Sequence, residues 1–186
     1  MARLTIDGYG QLELNNVAFR RDGRVEAQCG LNKTDFTESA PAENGMILVV
    51  DNVAREIKLP AATDTANTLY ALNYSAEKNY SYDEYGLKDF SLKPGGFYPR
   101  LGYLDVGDKF TTNCVSHALA DTDAFKTALA AVKSGPTPLY GVVSIDGSIA
   151  VSGSAPEAPV GPVLQVIEGT TMPDGQLGVK FQVIAV

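Results

Sequence analysis

Residues 163–186, VLQVIEGTTMPDGQLGVKFQVIAV, contain two apolar runs separated by a Pro-Asp-Gly turn at positions 173–175. Two apolar runs of strand length on either side of turn residues are typical of a hairpin. Asp-Gly suits a tight turn because glycine readily adopts the positive φ that such turns require. The stretch therefore predicts a β-hairpin at the end of the chain.

Similar patterns recur upstream of this hairpin. PLYGVVSIDGSIAVSG (138–153) and MILVVDNVAREIKLP (46–60) each predict a hairpin, and residues 4–31 predict a strand followed by another hairpin. A further strand is expected at 69–74, and residues 104–115 predict a turn followed by a strand. The turns of these elements fall at Asp7-Gly8, Asp22-Gly23, Asp51-Asn52, Gly107-Asp108 and Asp146-Gly147.

One segment has the pattern of a helix. DTDAFKTALAAVKSG, residues 121–135, offers Asp121 or Thr122 as the N-cap and Gly135 as the stop. Apolar side chains recur at helical spacing on one face, namely Phe125, Leu129 and Val132. We predict a single amphipathic helix over about residues 122–134.

With one helix against about nine strand-like runs, the chain is predicted to be mainly β. We expect an antiparallel β-barrel or sandwich with one α-helix and extended loops or arms. Residues 1–45 would form N-terminal hairpins and a polar arm at 32–45. Residues 46–153 would form the β-rich body, including a Tyr-rich loop block. Residues 154–186 would be a Pro/Ala linker at 154–162 and a C-terminal hairpin packing on the body.

Charge and targeting signals argue against several classes of protein, namely nucleic-acid-binding, secreted and membrane-spanning ones. The net charge of -7 and the absence of a basic run argue against nucleic-acid partners, which need clustered Lys and Arg. The N-terminus lacks the apolar core of a signal peptide, and no segment has the apolar length of a membrane span. We therefore expect a soluble protein made in a cytoplasm, with Cys29 and Cys114 reduced and buried.

No set of residues has the types and spacing that a known chemistry demands. The single histidine, His117, lies at a predicted strand end and is expected to be a surface or capping residue; no GxSxG motif supports a serine nucleophile. The chain also lacks the phosphate-loop, zinc and calcium motifs. We expect no enzymatic activity, no cofactor and no metal.

Residues 61–103 contain most of the tyrosines of the chain. Three interpretations are open: the rings cover the core of the protein itself, they form a protein interface, or they stack on sugars. The tyrosines of this block are Tyr70, Tyr74, Tyr80, Tyr82, Tyr85, Tyr98 and Tyr103.

Three stretches resemble virion structural proteins of tailed bacteriophages, in particular capsid decoration (cement) proteins. They are LTIDGYGQLELNNVAFRRDGRVEAQC (4–29), LNYSAEKNYSYDEYGLKDFSLKPGGFYPRLGYLDVGDKFTTNC (72–114) and TMPDGQLGVKFQVI (171–184). The resemblance implies a β-rich, non-enzymatic protein made in a bacterial host that binds the outer face of the virion capsid and stabilises it.

On this resemblance the partners would be the major capsid protein and neighbouring copies of the chain in a homo-oligomer, with no nucleic acid and no membrane. A head-tail connector or tail-tube subunit is the first alternative, and a carbohydrate-binding β module is the second. Truncating Tyr82 and Tyr85 should weaken particle binding without unfolding the protein. The candidate interface residues are Tyr80, Tyr82, Asp83, Tyr85, Phe90, Phe97 and Tyr98.

Overall fold

The computed structural model describes residues 2–3, 10–13, 17, 24–75, 90–135, 137–157 and 159–186. Within these ranges the chain forms two β-sheets and one helix. The prediction of a mainly β fold of barrel or sandwich type with a single α-helix is confirmed. Residues 4–6, of the predicted strand before Asp7, and the turn at Asp22-Gly23 lie outside the described residues.

Most of the regular elements are short. The helix is α1 (Thr122–Ser134), with the predicted bounds. The strands are β1 (Ala2–Arg3), β2 (Val25–Glu26), β3 (Gly30–Leu31), β4 (Ile47–Asp51), β5 (Glu56–Lys58), β6 (Leu69–Asn73), β7 (Leu101–Tyr103), β8 (Lys109–Thr112), β9 (Val115–His117), β10 (Tyr140–Val143), β11 (Ile149–Ser152), β12 (Val163–Thr171) and β13 (Leu177–Ala185).

The first sheet has seven strands in the order β1-β9-β11-β10-β12-β13-β8. The predicted hairpins β10–β11 and β12–β13 are confirmed as antiparallel pairs. Their turns contain Gly147 at φ 78° and Gly175 at φ 92°, values that favour glycine. The pairing of β9 with β11 is parallel, which the hairpin patterns did not predict.

The second sheet has six strands in the order β2-β7-β6-β4-β5-β3. The hairpin β4–β5 is confirmed, and Asp51 organises its turn by accepting hydrogen bonds from the Ala54 and Val53 amides at 2.9 and 3.1 Å. Lys58 Nζ lies 2.6 Å from the same carboxylate. The Ala54 amide and then the Lys58 ammonium lower the pKa of Asp51.

Alternating side chains of the second sheet belong to two separate cores. Ile47 and Leu72, which are paired in register, belong to the first core, which the second sheet shares with the first sheet and the helix. Leu48 and Ala71, also paired, belong to the second core, which includes loop residues. The second sheet is therefore covered on both faces, by the first sheet on one side and by loops on the other.

The polar segment 32–45 is one of the loops that cover the second sheet. Although it was expected as a polar arm, Phe36 is 1 % exposed and Ala42 is fully buried. Ala42 also forms an isolated antiparallel bridge with Leu92. Burying a phenylalanine side chain stabilises a fold by about 2–3 kcal/mol, which is enough to hold a polar segment against a sheet.

Helix α1 docks on the first sheet through Phe125 and Leu129, both buried. At its start, Asp121 Oδ1 accepts a hydrogen bond from the Ala124 amide at 2.8 Å, which confirms Asp121 as the N-cap. A methyl group added at Gly169 on β12 would lie 3.0 Å from Leu129 Cβ, so helix and strand are in close contact. The helix therefore closes one part of the first core.

We predict that Asp121→Ala lowers the free energy of unfolding by about 1 kcal/mol, because the Ala124 amide loses its cap. Asp123→Ala is the matched control, since Asp123 is an exposed acid that makes a surface ion pair with Lys126 at 3.2 Å. Urea denaturation followed by circular dichroism measures both. Equal losses in the two variants would contradict the capping role.

Cys29 and Cys114 are both buried thiols outside any disulfide, as predicted. Burial and then the nearby Glu26 carboxylate raise the pKa of the Cys29 thiol.

Candidate binding surface

Two adjacent aromatic side chains, Phe97 and Tyr98, are exposed on the turn that precedes β7. Their exposed fractions are 66 % and 62 %. The turn is closed by the Gly96 amide, which donates to the Lys93 carbonyl at 3.1 Å, and Gly95 within it has φ 82°. Glycine at this position allows the chain to bend sharply and present both rings outward.

The turn is anchored at both ends. On one side, the amides of Leu92 and Ala42 each donate to the carbonyl of the other at 2.9 Å. On the other side, the Arg100 amide donates to Ser75 Oγ at 2.8 Å, and the Arg100 carbonyl accepts from the Tyr74 amide at 3.0 Å. The exposed rings are thus carried by backbone that the fold holds in place, which lowers the entropy cost of using them in binding.

A recess of about 490 Å³ lies beside the two rings. The ring of Tyr98 packs over β3, because a methyl group added at Gly30 would lie 3.5 Å from Tyr98 Cε1. We call this feature the aromatic recess; its lining residues are Gly30, Leu31, Lys33, Lys93, Gly95, Gly96, Phe97 and Tyr98.

The charge around the aromatic recess differs from that of the whole chain. Two lysines, Lys33 and Lys93, line it, and no carboxylate is among the described residues of its lining. Lys93 Nζ lies 3.0 Å from a carboxylate oxygen of Glu38, whose side chain is 76 % exposed, so this carboxylate offsets the charge of Lys93. On a protein with net charge -7, the recess therefore places basic groups next to two aromatic rings.

The structure separates the predicted interface residues into three groups. Phe97 and Tyr98 lie together on the surface. Phe90, in contrast, is buried in the second core, where it packs with the residues that cover the sheet. In the isolated chain it is therefore a core residue and not an exposed contact. The remaining four, Tyr80, Tyr82, Asp83 and Tyr85, lie outside the described residues.

Other tyrosines of the block serve the fold, as the core-covering interpretation expects. Tyr70 and Tyr74 pack against the first core, and Tyr103 packs against the second. Arg100 lies over the Tyr74 ring at 5.5 Å from its centroid. Residue type alone could not distinguish these rings from Phe97 and Tyr98.

A larger groove of about 630 Å³ lies near Tyr70 and Tyr103, and the sequence did not predict it. The Tyr70 hydroxyl donates to Asp64 Oδ2 at 2.9 Å. Burial, followed by this bond to Asp64, raises the pKa of Tyr70, and burial likewise raises the pKa of Tyr103. The groove is lined by two exposed apolar residues, Leu69 and Val186. A third, Val160, is exposed between the lining residues Pro159 and Gly161.

His117 is buried, contrary to the expectation of a surface or capping position. It is 1 % exposed and stacks on Phe125 with ring centroids 4.5 Å apart and an interplanar angle of 13°. Neither imidazole nitrogen has a hydrogen-bond partner among the described residues. The burial results from the docking of α1, which places Phe125 over the end of β9, and this contact is not visible in the local sequence.

We predict that His117→Phe raises the free energy of unfolding by about 1 kcal/mol, because it keeps a stacked ring and removes two unpaired buried nitrogens. His117→Ala should lower it by about 2–3 kcal/mol through the cavity that it leaves under Phe125. Urea denaturation of the two variants tests this pair. A loss of more than about 1 kcal/mol in His117→Phe would show that the imidazole makes a polar interaction in solution.

Within the described ranges, no group of three or more His, Cys, Asp or Glu side chains is arranged to hold a metal ion. The described part of the chain also contains no helix with the length and apolarity needed to cross a membrane.

The chain matches no protein-family model, and it has no significant match among curated proteins or solved structures.

Proposed function

We propose that the chain is a non-enzymatic virion structural protein of a tailed bacteriophage, which binds the outside of the capsid shell and stabilises it. The observation that carries the proposal is the pair of exposed rings, Phe97 and Tyr98, on a turn anchored at both ends. This pair belongs to the stretch 72–114, on which the resemblance to decoration proteins partly depends.

Exposed aromatic rings of this kind suit a protein interface. Phe and Tyr each bury about 150–250 Å² on contact, and they lose little side-chain entropy because they have few rotatable bonds. Aromatic anchors contribute about 2 kcal/mol or more each when they lie at the centre of an interface. Phe97 and Tyr98 are adjacent, so one partner surface can cover both.

A shell presents the same partner surface many times, which suits a small contact. Copies that are linked to one another and bind neighbouring subunits gain affinity because the second contact forms at a high effective concentration. We therefore propose that the chain acts as a homo-oligomer on the lattice, with the major capsid protein as its partner.

Co-sedimentation of the purified protein with phage components tests this proposal. Empty shells lacking the protein, unassembled capsid subunits and detached tails are each mixed with it and separated on a gradient. We expect the protein to move with shells and to raise the temperature at which they break open. Movement with tails would support a connector or tail-tube subunit. Binding to immobilised glycans alone would support a carbohydrate-binding module. Either result would overturn the proposal.

A further inference from the structure

Asn44-Gly45 is the only pair in the sequence in which glycine follows asparagine. In such a pair the glycine amide nitrogen can attack the side-chain carbonyl carbon of the asparagine, because glycine has no Cβ to hinder the approach. Asparagine is one of the thermolabile residues of proteins because of this reaction. Among the asparagines of the unfolded chain, Asn44 is therefore the one that converts most readily.

The fold holds both of the groups that would react. The attacking group is the Gly45 amide, which donates to the Asn73 carbonyl at 2.9 Å. The leaving group is Nδ2 of Asn44, which donates to the Ser75 carbonyl at 2.9 Å. Asn44 is only 1 % exposed, so the fold also keeps solvent from its side chain. The reaction therefore requires the chain to open at this point first.

The aspartate product does not fit the folded chain. Conversion of Asn44 to aspartate replaces the amide donor by a carboxylate oxygen that faces the Ser75 carbonyl, which is itself an acceptor. The other side-chain oxygen of Asn44, Oδ1, is buried with no hydrogen-bond partner among the described residues. A carboxylate at this position would be buried without a donor, and such a charge strongly opposes folding.

The isoaspartate product fits no better, because it inserts an additional carbon into the backbone beside Gly45. This glycine has φ 88°. A methyl group added to it would overlap Thr112 Oγ1 and would lie 2.9 Å from the Gln11 carbonyl oxygen. The close packing around Gly45 therefore leaves no space for a longer backbone.

We infer that Asn44 is a deamidation site that reacts in the unfolded chain and then excludes that chain from the native fold. In the first step the Gly45 nitrogen bonds to Cγ of Asn44, the Cγ–Nδ2 bond breaks, and Nδ2 leaves as ammonia with the proton of the Gly45 amide. Water then opens the succinimide ring to give aspartate or isoaspartate. The reaction needs water and no other reactant, and the inference does not depend on the proposed function.

Incubation at mildly alkaline pH, followed by peptide mapping with mass spectrometry, tests the first half of the inference. One sample is folded, and the other is held in guanidinium chloride. We expect Asn44 to convert at least about 10-fold faster in denaturant, because only opened chains react in the folded sample. Asn67 is the internal control, since it is exposed in the fold and precedes Thr68; in denaturant it should convert more slowly than Asn44. Equal rates for Asn44 in the two samples, or no conversion of Asn44 in denaturant, would overturn the inference.

Refolding of the denatured sample tests the second half. Refolded and aggregated chains are separated by gel filtration and mapped, and converted Asn44 should be at least about 10-fold rarer among the refolded chains. In a separate experiment, Asn44→Asp should lower the equilibrium constant of folding by at least about 10-fold, because it buries an unpaired carboxylate. Asn67→Asp should change it by no more than about twofold, because Asn67 is exposed. An equal share of converted Asn44 in the two fractions, or equal stability of the two variants, would overturn the inference.

Discussion

Replacing Phe97 and Tyr98 together by alanine should weaken shell binding by at least about 100-fold. Two aromatic anchors at about 2 kcal/mol each give about 4 kcal/mol, and every 1.4 kcal/mol corresponds to about a tenfold change in affinity. Neighbouring hot spots are not additive, so the lower bound is the appropriate expectation. Binding isotherms from sedimentation with shells measure the effect.

The fold of this double variant should be intact. Both rings are more than half exposed, so the free energy of unfolding should change by no more than about 0.5 kcal/mol. Val53→Ala is the matched control, because Val53 is an apolar side chain that is 98 % exposed on the β4–β5 turn and does not line the aromatic recess. It should bind shells like the natural chain. Normal binding by the double variant, or its unfolding, would contradict the assignment of these rings to an interface.

Phe181→Ala should lower the free energy of unfolding by about 4 kcal/mol, within the range for buried phenylalanine. Phe181 lies on β13, is fully buried and contacts Phe110 with ring centroids 5.8 Å apart. A methyl group added at Gly141 on β10 would lie 3.2 Å from Phe181 Cε1, so the ring also fills the space above a strand that lies two positions away in the sheet. Its removal would leave a cavity that rigid strands cannot close.

Ile184→Ala on the same strand is the control, because Ile184 is 37 % exposed and should cost about 1 kcal/mol or less. Urea denaturation at one pH compares the two variants. If Phe181→Ala lowered the free energy of unfolding no more than Ile184→Ala, the placement of Phe181 in the core between the two sheets would be wrong.

The elements that the sequence predicted well are those that local chemistry determines. Asp-Gly and Pro-Asp-Gly turns fix the hairpins β10–β11 and β12–β13, because few residues accept the backbone angles that these turns need. The helix bounds follow from the Asp121 cap and from the spacing of Phe125 and Leu129. Each of these signals lies within about fifteen residues of the element that it defines.

The elements that it missed depend on contacts between distant residues. Strands β3 and β9 each make a parallel pair that no turn specifies. Phe36 lies in a polar stretch, so its burial against the second sheet could not be recognised from its neighbours. His117 likewise becomes a core residue only after α1 docks over it.

The candidate site was predictable in part. Phe97 and Tyr98 follow a Pro-Gly-Gly turn, and exposed aromatics at a turn are a recognisable signal for binding. Phe90, a few residues earlier, faces the core instead. The packing of Tyr98 over Gly30 on β3 could not be predicted, because it joins residues that are distant in the sequence.

Under the proposed function, the chain is a shell-binding component of a virion. Quantitative mass spectrometry of purified virions of the proposed source phage tests this role, by comparing the copy number of the chain with that of the major capsid protein. We expect the two numbers to be of the same order, as repeated binding across a lattice requires. A handful of copies per particle, or absence of the chain from purified particles, would contradict the account.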